Sequence, residues 1–442
     1  MEDVLKEYAE IADAFKQLCN NLKLDNYSDM KSTVGEIAKK LNNVYYGLNQ
    51  DSVSHMYIVG SVGRKTAVKG DSDLDIIFDL PNEVFKRFDN QKGNGQSCLL
   101  QEVRKNLLDR YPKTKISGDG QVVVIEFNKY TVELVPGFKQ QDNTFKYPDS
   151  NNGGSWKYTD PISEQKECRN SNIASNGIYY DFCRIVRCWK NNCGFKFGGL
   201  LIDTLVYDHF KDNNYYSSLS VFNYSEILKN LFEYFGNMDE NRTFWYAVGS
   251  DQKVYVNGSG RFIKQSRKAF KMLEKAVNEG EGIADALEEL LGNVFKVKRN
   301  KTKFLEQSLV QYKNTEEFIY NKFPVDIRYS LNIECTVSQN GFPERKLSEI
   351  LRKKLLLKHH KDLIFCIENT NCPKPYDIYW KVRNVGRKAE ERDCIRGQIT
   401  RTDCREKKEH TDFQGPHFVE CYLVKNGVCV AKGHIDVPID SN

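Results

Sequence analysis

Residues 57–78 combine residue types that act on phosphates. They read YIVGSVGRKTAVKGDSDLDIIF: a short apolar run ends at Gly60-Ser61, a polar loop follows, and a second apolar run contains Asp73 and Asp75. Side chains two residues apart on a β-strand share one face, so the two carboxylates are predicted to project together. Paired carboxylates can bridge two Mg²⁺ ions about 3.5–4 Å apart, the arrangement used for in-line phosphoryl and nucleotidyl transfer.

The loop between the two runs offers groups that hold and neutralise a triphosphate. Gly60 has no Cβ, so the backbone can come close to a phosphate there. Ser61 can offer both its N–H and its hydroxyl, and Arg64, Lys65 and Lys69 supply positive charge. The alternative is a turn before a polar strand edge, because an Asp-x-Asp pattern alone occurs by chance in many proteins.

A two-metal site needs a third acid on a neighbouring strand, and the sequence offers two. In the run TVELV, Val132 and Leu134 face one side and Glu133 faces the other. Glu133 can therefore share a metal and accept the proton of an attacking hydroxyl. Glu126, in the preceding run VVVIEF, is an alternative that the pattern leaves open. An isolated surface glutamate is the remaining interpretation.

Length and composition limit the class of protein. At about 150 residues per domain, 442 residues predict two to three domains. A net charge of +5 excludes a strongly cationic nucleic-acid coat protein but not a local basic groove. With 40% hydrophobic and 12% aromatic residues, the chain is not disordered throughout.

The cellular location follows from what the sequence lacks. No apolar run approaches the roughly 20 residues of a membrane helix, and the amphipathic N-terminus has no apolar signal-peptide core. The 13 cysteines are odd in number and form no CxxC pair, which favours reduced, mostly buried thiols over disulfides or zinc. We therefore expect a cytoplasmic protein without a membrane partner.

The periodicity of apolar residues predicts a change of class along the chain. Residues 1–50 and 178–295 have helical patterns, with short strands and a hairpin between them. The basic stretch KVKRNKTK at 296–303 is typical of a solvated linker. Beyond about residue 310 the segments are β-rich, so the texture changes from α+β to all-β. The predicted strands before the helical region are 56–60, 74–81, 122–127 and 131–138.

The ordered motifs resemble those of a known family. The string VGSVGRKTAVKGDSDLDI, followed by TVELVPGF, is similar to the polymerase-β-type nucleotidyltransferases, and more closely to the bacterial cGAS/DncV-like nucleotidyltransferases (CD-NTases). GGSWKYTDP at 153–161, DFCRIVRCWK at 181–190 and FIKQSRKAFKMLEKA extend the resemblance over about residues 1–296. It implies an α+β fold: a polymerase-β-like core with a mixed sheet and helices at about 1–165, then a helical lobe at about 166–305.

The resemblance also implies roles for single residues. Asp73, Asp75 and Glu133 would be the catalytic acids and ligands of two Mg²⁺ ions. Nucleotide-binding roles would fall to Gly60, Ser61, Arg64 and Lys190, with Ser61 holding the donor triphosphate and Lys190 reaching the phosphates from its helix. Two departures affect these roles. The third acid is commonly Asp in the family, and Glu133 is one methylene longer. Gly198-Gly199 stand where the family often has a serine, so a phosphate contact there would come from backbone N–H groups.

A second resemblance covers about residues 317–442. FPVDIRYSLNIECTVSQNGF, IYWKVRNVGRKAE and GPHFVECYLVKNGVCVAKG are similar to the adenylyl/guanylyl cyclase and SMODS C-terminal sensor domain, which implies a sandwich-like all-β domain. Tyr379, Trp380 and Tyr422 are predicted to offer stacking surfaces, and Lys381, Arg383 and His417 to offer donors for a nucleotide or nucleic-acid ligand. The alternative is a sandwich core with charged edges.

These resemblances imply Mg²⁺-dependent joining of ATP, GTP or other NTPs into a cyclic di- or trinucleotide second messenger, with release of pyrophosphate, in CBASS-type anti-phage defence. A downstream effector and operon-encoded regulators would be partners. Two alternatives remain: an enzyme that makes a linear oligonucleotide or modifies RNA or protein, and a catalytically silent nucleotide-binding sensor. Because the acids precede residue 140, we expect residues 1–305 to retain NTP transfer when separated from the β-rich domain.

Overall fold

A computed structural model describes most of the chain between residues 2 and 439. The main gap is 299–315, which contains most of the basic stretch predicted to be a linker, so that prediction lies outside the described residues. The other residues that are not described are 1, 50–51, 71–72, 212–215, 217, 257–259, 280–281, 340–341, 354, 358–360, 386–388, 390–395, 412–414, 416 and 440–442.

The chain divides into two compact units. The first consists of Met1–Cys188 and Phe197–Val297, and the second of Trp189–Lys196 and Lys298–Asn442. The first unit is therefore interrupted in sequence by eight residues that cluster with the second unit. The sequence-based limits at 305 and 317 do not anticipate this short segment.

The first unit contains a mixed sheet with the strand order β1-β2-β5-β4-β3, to which β6 and β7 add through β5. β2 and β5 are parallel and the other pairs are antiparallel. The seven strands are β1 Met56–Ile58, β2 Asp73–Asp79, β3 Lys115–Asp119, β4 Val122–Glu126, β5 Thr131–Lys139, β6 Phe145–Asp149 and β7 Ser155–Thr159. The predicted β4–β5 hairpin is confirmed.

One face of this sheet forms the core of the first unit. Leu74 and Ile76 on β2 and Val132 and Leu134 on β5 are fully buried in one apolar cluster. Their alternation with polar residues places the intervening acids on the opposite face. The first five helices are α1 Glu2–Leu22, α2 Tyr27–Tyr46, α3 Gly60–Gly63, α4 Asn82–Asp89 and α5 Gly95–Arg110.

The rest of the first unit is mainly helical, as the periodicity predicts. Its helices are α6 Pro161–Ala174, α7 Ile178–Cys193 (whose end lies in the second unit), α8 Gly199–Phe210, α9 Tyr224–Gly236, α10 Arg261–Glu279 and α11 Ile283–Leu291. The hairpin of β8 (Phe244–Tyr246) and β9 (Lys253–Tyr255) interrupts the predicted helical region. Its aromatic and β-branched residues favour strands, and Trp245 is buried.

The second unit contains two four-stranded antiparallel sheets, with the orders β11-β10-β12-β15 and β14-β13-β16-β17. Apolar residues from both sheets form one core, which confirms the sandwich-like all-β expectation. The strands are β10 Leu331–Gln339, β11 Phe342–Lys346, β12 Asp362–Thr370, β13 Asp377–Asn384, β14 Arg396–Thr402, β15 Glu406–His410, β16 His417–Lys425 and β17 Val428–Val437. Two short helices, α12 Ile319–Lys322 and α13 Leu347–Arg352, accompany them.

The predicted stacking surfaces of this unit need correction. Trp380 is 1% exposed and belongs to the sandwich core, and Tyr422 is 2% exposed, so neither ring can stack on a ligand from solvent. The Arg383 guanidinium donates to a carboxylate oxygen of Glu316 at 2.6 Å. For Trp380 the alternative interpretation, a residue of the sandwich core, is therefore correct.

Two further expectations concern the whole chain. No disulfide joins the 12 cysteines that the structure describes. Within the described residues, no helix combines the length and apolarity that crossing a membrane requires.

Candidate active site

The parallel strands β2 and β5 bring the three predicted catalytic acids to one face of the sheet. Asp75 on β2 is the register partner of Glu133 on β5, and Asp73 is the partner of Thr131. All three acids are half-buried and alternate with fully buried apolar residues on the core face. Neighbouring strands lie about 4.8 Å apart, so the Asp75 and Glu133 carboxylates are close neighbours.

Glu126, the alternative third acid, lies one strand further away. It belongs to β4 and is opposite Thr131 of β5, with β5 separating it from β2. Its carboxylate accepts from the Lys115 ammonium of β3 at 2.6 Å. The register therefore favours Glu133 over Glu126 as the acid that shares a site with Asp75.

Gly60 follows β1 and packs directly against the Asp75 carboxylate. Its φ of +61° lies in the left-handed region that glycine adopts without steric cost. A Cβ at this position would lie 1.8 Å from Asp75 Oδ2, which no side chain allows. The Val59 N–H donates to the Asp75 carbonyl at 2.9 Å, so β1 holds Gly60 next to the acid.

Ser61 lies in the single-turn helix α3, between Gly60 and the loop that follows. Its carbonyl accepts the N–H groups of Thr66 and Ala67 at 2.9 and 3.1 Å, which curls the loop back towards Ser61. The residue is half-buried and remains accessible. Gly60 is therefore adjacent to the Asp75 carboxylate, and Ser61 follows it directly in the chain. Their roles in binding a triphosphate stay predictions.

Arg64 lies in a buried ion-pair cluster within the first unit. Its side chain is 7% exposed and donates to Asp203 Oδ2 at 2.9 Å and to Glu164 Oε2 at 3.0 Å. The guanidinium is thus held by two carboxylates. A phosphate contact for Arg64 stays a prediction.

The carboxylate of Asp203 is the centre of this cluster. It is fully buried and accepts from Arg64, from Arg187 at 2.6 and 3.0 Å, and from the Thr66 hydroxyl at 2.8 Å. Burial alone would raise the pKa of Asp203, but the Arg187 and Arg64 charges outweigh it and lower this pKa. Burial raises the pKa of Glu164, because its single arginine offsets the desolvation only partly.

The cluster ties the Ser61 loop to helices α6, α7 and α8. Sequence reasoning missed Asp203, Arg187 and Glu164, although a signal was present. Asp203 is the only acid in the apolar run GLLIDTLVY, and a carboxylate on a buried helix face needs cationic partners.

Two other predicted cations have partners in the structure. The Lys190 ammonium is 7% exposed and donates to Asp326 and to the Ile327 carbonyl at 3.2 and 3.0 Å, all within the second unit. The Lys69 ammonium pairs with Asp25 at 2.6 Å. A phosphate contact for Lys190 stays a prediction.

The donor set on β2 and β5 fits magnesium by its chemistry. Mg²⁺ prefers hard oxygen ligands and is usually bound through one or two carboxylates together with substrate phosphates and water. Asp75 and Glu133, in register on adjacent strands, and Asp73 on the same face supply such oxygens. In the described part of the chain, no three Asp, Glu, His or Cys side chains are grouped closely enough to hold a metal ion by themselves.

Two family models match the chain. Residues 10–172 match the Second Messenger Oligonucleotide or Dinucleotide Synthetase (SMODS) domain. Residues 313–440 match the Adenylyl/Guanylyl and SMODS C-terminal sensor domain. The first match contains Gly60, Ser61 and the three acids, and the second contains both sheets of the second unit. No curated protein sequence is significantly similar to the chain.

Solved structures of distant proteins are similar to part of the chain. Escherichia coli MS115-1 CdnC with ATP is 14% identical, with a TM-score of 0.49, and the match covers 64% of this chain and 98% of CdnC. Bradyrhizobium diazoefficiens CdnG with GTP is 10% identical, with a TM-score of 0.48, and the match covers 64% and 96%. For Vibrio cholerae DncV, a cyclic AMP-GMP synthase, the values are 13%, 0.42, 66% and 88%.

The two family matches stand in the order that the motifs predict, and the first contains the acids on their parallel strands. Residues 10–172 therefore form a Second Messenger Oligonucleotide or Dinucleotide Synthetase domain, and residues 313–440 form the C-terminal sensor domain that accompanies such domains.

Proposed function

We propose that the protein joins NTPs into a cyclic di- or trinucleotide second messenger and releases pyrophosphate. The observation that carries the proposal is the register of Asp75 with Glu133, with Gly60 packed on the Asp75 carboxylate. This arrangement supports the proposal, because a turn that leaves room for phosphates would lie beside a set of acids. A silent binding domain would have no use for carboxylates that face one another across two strands.

Each part of the site has one task in this proposal. Asp73, Asp75 and Glu133 would hold two Mg²⁺ ions, which would stabilise the charge of the α-phosphate and of the leaving pyrophosphate. Ser61 binds the donor triphosphate through its N–H and hydroxyl, and Gly60 leaves room for the phosphates. The acceptor hydroxyl of the second NTP attacks the α-phosphate, and Glu133 accepts its proton.

The biological setting is part of the same proposal. The second-messenger description of the SMODS family supports a product that an effector senses. We place the protein in CBASS-type anti-phage defence in the cytoplasm, with ATP or GTP as substrates and regulators encoded nearby. The C-terminal sensor domain supports a role in regulation.

The test is the double variant Asp73→Asn/Asp75→Asn, incubated with labelled NTPs and Mg²⁺. Both ligands lose their charge but keep their size, so pyrophosphate release should stop while the fold survives. Phosphatase digestion of the wild-type product distinguishes the alternatives: a resistant product is cyclic, and a sensitive oligomer is linear. Normal pyrophosphate release by the double variant would refute the site, and no product from the wild type would favour the silent sensor.

A further inference from the structure

A cavity of about 570 Å³ opens in the second unit, where the two sheets of the sandwich meet. Its lining comes from both sheets: Lys408 and Glu409 from β15, and Val382, Asn384, Arg396 and His417 from β13, β14 and β16. This volume lies in the range of small-molecule sites, about 300–1,000 Å³. None of these residues belongs to the candidate active site.

His417 lines the cavity with a polar atom that lacks a partner. The residue is 6% exposed, and within the described part of the chain its Nδ1 has no hydrogen-bond partner. Burial lowers the pKa of His417 to about 4, so the ring is neutral at physiological pH. A buried polar atom without a partner is unfavourable for the fold. Its position at a cavity therefore points to a ligand.

The neighbours of His417 define the chemistry of that ligand. Asn384 is its register partner across β13 and β16, so the amide and the imidazole are side by side on one face. Val382 and Ile439 add apolar surface. The lining also contains Asp362 and His410, so the cavity is mostly polar. The uncharged imidazole and amide, beside the two apolar side chains, suit the hydrogen-bonding edge of a flat heteroaromatic ring.

Arg396 supplies a flat surface in the cavity. Its guanidinium forms a two-point pair with Glu409, at 2.7 and 3.1 Å. The pair fixes the plane of the guanidinium and neutralises its charge, and such a plane stacks well on aromatic rings.

We propose that this cavity binds a nucleobase, with His417 hydrogen-bonded to the base edge and Arg396 stacked on its face. The base can belong to a nucleoside or to a nucleotide. The inference does not depend on the proposed activity, because every residue that carries it lies in the second unit.

The experiment is calorimetric titration of the full-length protein, in the presence of EDTA, with the four common ribonucleosides and their 5′-monophosphates. At least one base should bind saturably, and His417→Phe should weaken it by about tenfold or more, because the base loses its hydrogen-bond partner. Val382→Phe, which narrows the cavity, should also weaken it. Equal affinity for nucleoside and monophosphate identifies the nucleoside as ligand, and tighter binding of the monophosphate identifies the nucleotide.

Controls separate this site from the catalytic site and from a loss of fold. His209→Phe removes a half-buried imidazole of the first unit, and Asp73→Asn/Asp75→Asn disables the acids; both should leave binding unchanged. His417→Phe should melt at the wild-type temperature or above, because it removes an unsatisfied buried atom. A lower melting temperature would show that the imidazole is structural. Absence of binding at about 1 mM, or unchanged binding by His417→Phe, would also overturn the proposal.

Discussion

Gly60 is constrained by both its backbone and its surroundings. Its φ is +61°, and a Cβ would lie 1.8 Å from Asp75 Oδ2. Gly60→Ala should therefore displace the Asp75 carboxylate and reduce pyrophosphate release by at least about tenfold, beyond the roughly 1–2 kcal/mol of backbone strain. Gly47→Ala is the matched control, since Gly47 also has a positive φ (+63°) but has no atom near its missing Cβ. Equal losses of activity in both variants would contradict the role of the close contact.

Glu133 and Glu126 provide a direct test of the third acid. Glu133→Gln keeps the size of the side chain but loses its charge and basicity, and loss of a general base typically lowers turnover by about 10²–10⁴-fold. Glu133→Asp should retain part of the activity, because the carboxylate remains. Glu126→Gln should retain nearly all of it, since Glu126 pairs with Lys115. If Glu126→Gln is inactive and Glu133→Gln is active, the third acid is Glu126 on β4, and its assignment to β5 is wrong.

At this scale, local rules predict a residue's face but not its partner. Alternation predicts correctly that the Glu133 side chain is on the other face of β5 from Val132 and Leu134, because a strand has a period of two residues. Sequence does not reveal that Arg64 is buried against Asp203, because the two residues are 139 positions apart. The burial of Trp380 likewise depends on residues distant in sequence, because a second sheet covers its strand.

At the scale of elements, the Asp203 cluster joins helices α6, α7 and α8 to the loop that follows Ser61. Asp203→Asn leaves the charges of Arg64 and Arg187 without their shared carboxylate, and breaking a buried pair in this way typically costs about 3–5 kcal/mol. We expect a lower melting temperature and, in the protein that remains folded, a higher KM for NTP. Asp208→Asn on the same helix is the control, because its i,i+3 pair with Lys211 is worth about 0.5 kcal/mol. Equal stability of the two variants would contradict this assignment.

Sequence predicts helices and strands correctly where the pattern of apolar residues is long or regular. The β4–β5 hairpin and the helical texture of 178–295 follow from periodicity alone. The hairpin β8–β9 was missed because each of its strands has only three residues, too few to show a period. Its position in the fold depends on the burial of Trp245, which is a tertiary effect.

At the scale of the whole molecule, His434 makes stability depend on pH. Burial opposes its charge, but the carboxylates of Asp436 and Glu420, at 3.0 and 3.4 Å, outweigh burial and raise the pKa of His434 from 6.5 to about 9. Since the folded protein binds the proton more tightly, the stabilisation is complete below pH 6.5 and is lost as the pH rises to about 9. Lys432, which also pairs with Glu420, competes for the same carboxylate and limits the effect.

The half-exposed ring limits this contribution to about 1 kcal/mol or less. The melting temperature of the second unit should therefore fall by at most about 2–4 °C between pH 6.5 and 9. Differential scanning calorimetry measures it, and His434→Gln should remove this fall while keeping the rest of the profile. A pH dependence that persists in His434→Gln would assign it to another group.

The change from α+β to all-β texture was predicted from composition and period, and the two units reflect it. The short segment Trp189–Lys196 could not be predicted, because α7 is a continuous helix in the sequence pattern. A chain cut at residue 305 would leave the buried Lys190 ammonium without Asp326. The expectation that residues 1–305 work alone stays a prediction, and this contact argues against it.

The short segment Trp189–Lys196 is synthesised well before the rest of the second unit. Lys190 leaves the ribosome 136 residues before Asp326, the acid that it binds. At about 5–20 residues per second the interval is on the order of ten seconds, during which Trp189 and Lys190 lack their folded surroundings. In every nascent chain, the acids of the candidate active site are therefore synthesised before the residues that contact Lys190 at the end of α7. A message cut short in this interval would yield a protein whose Lys190 ammonium lacks the Asp326 carboxylate that it binds in the complete chain.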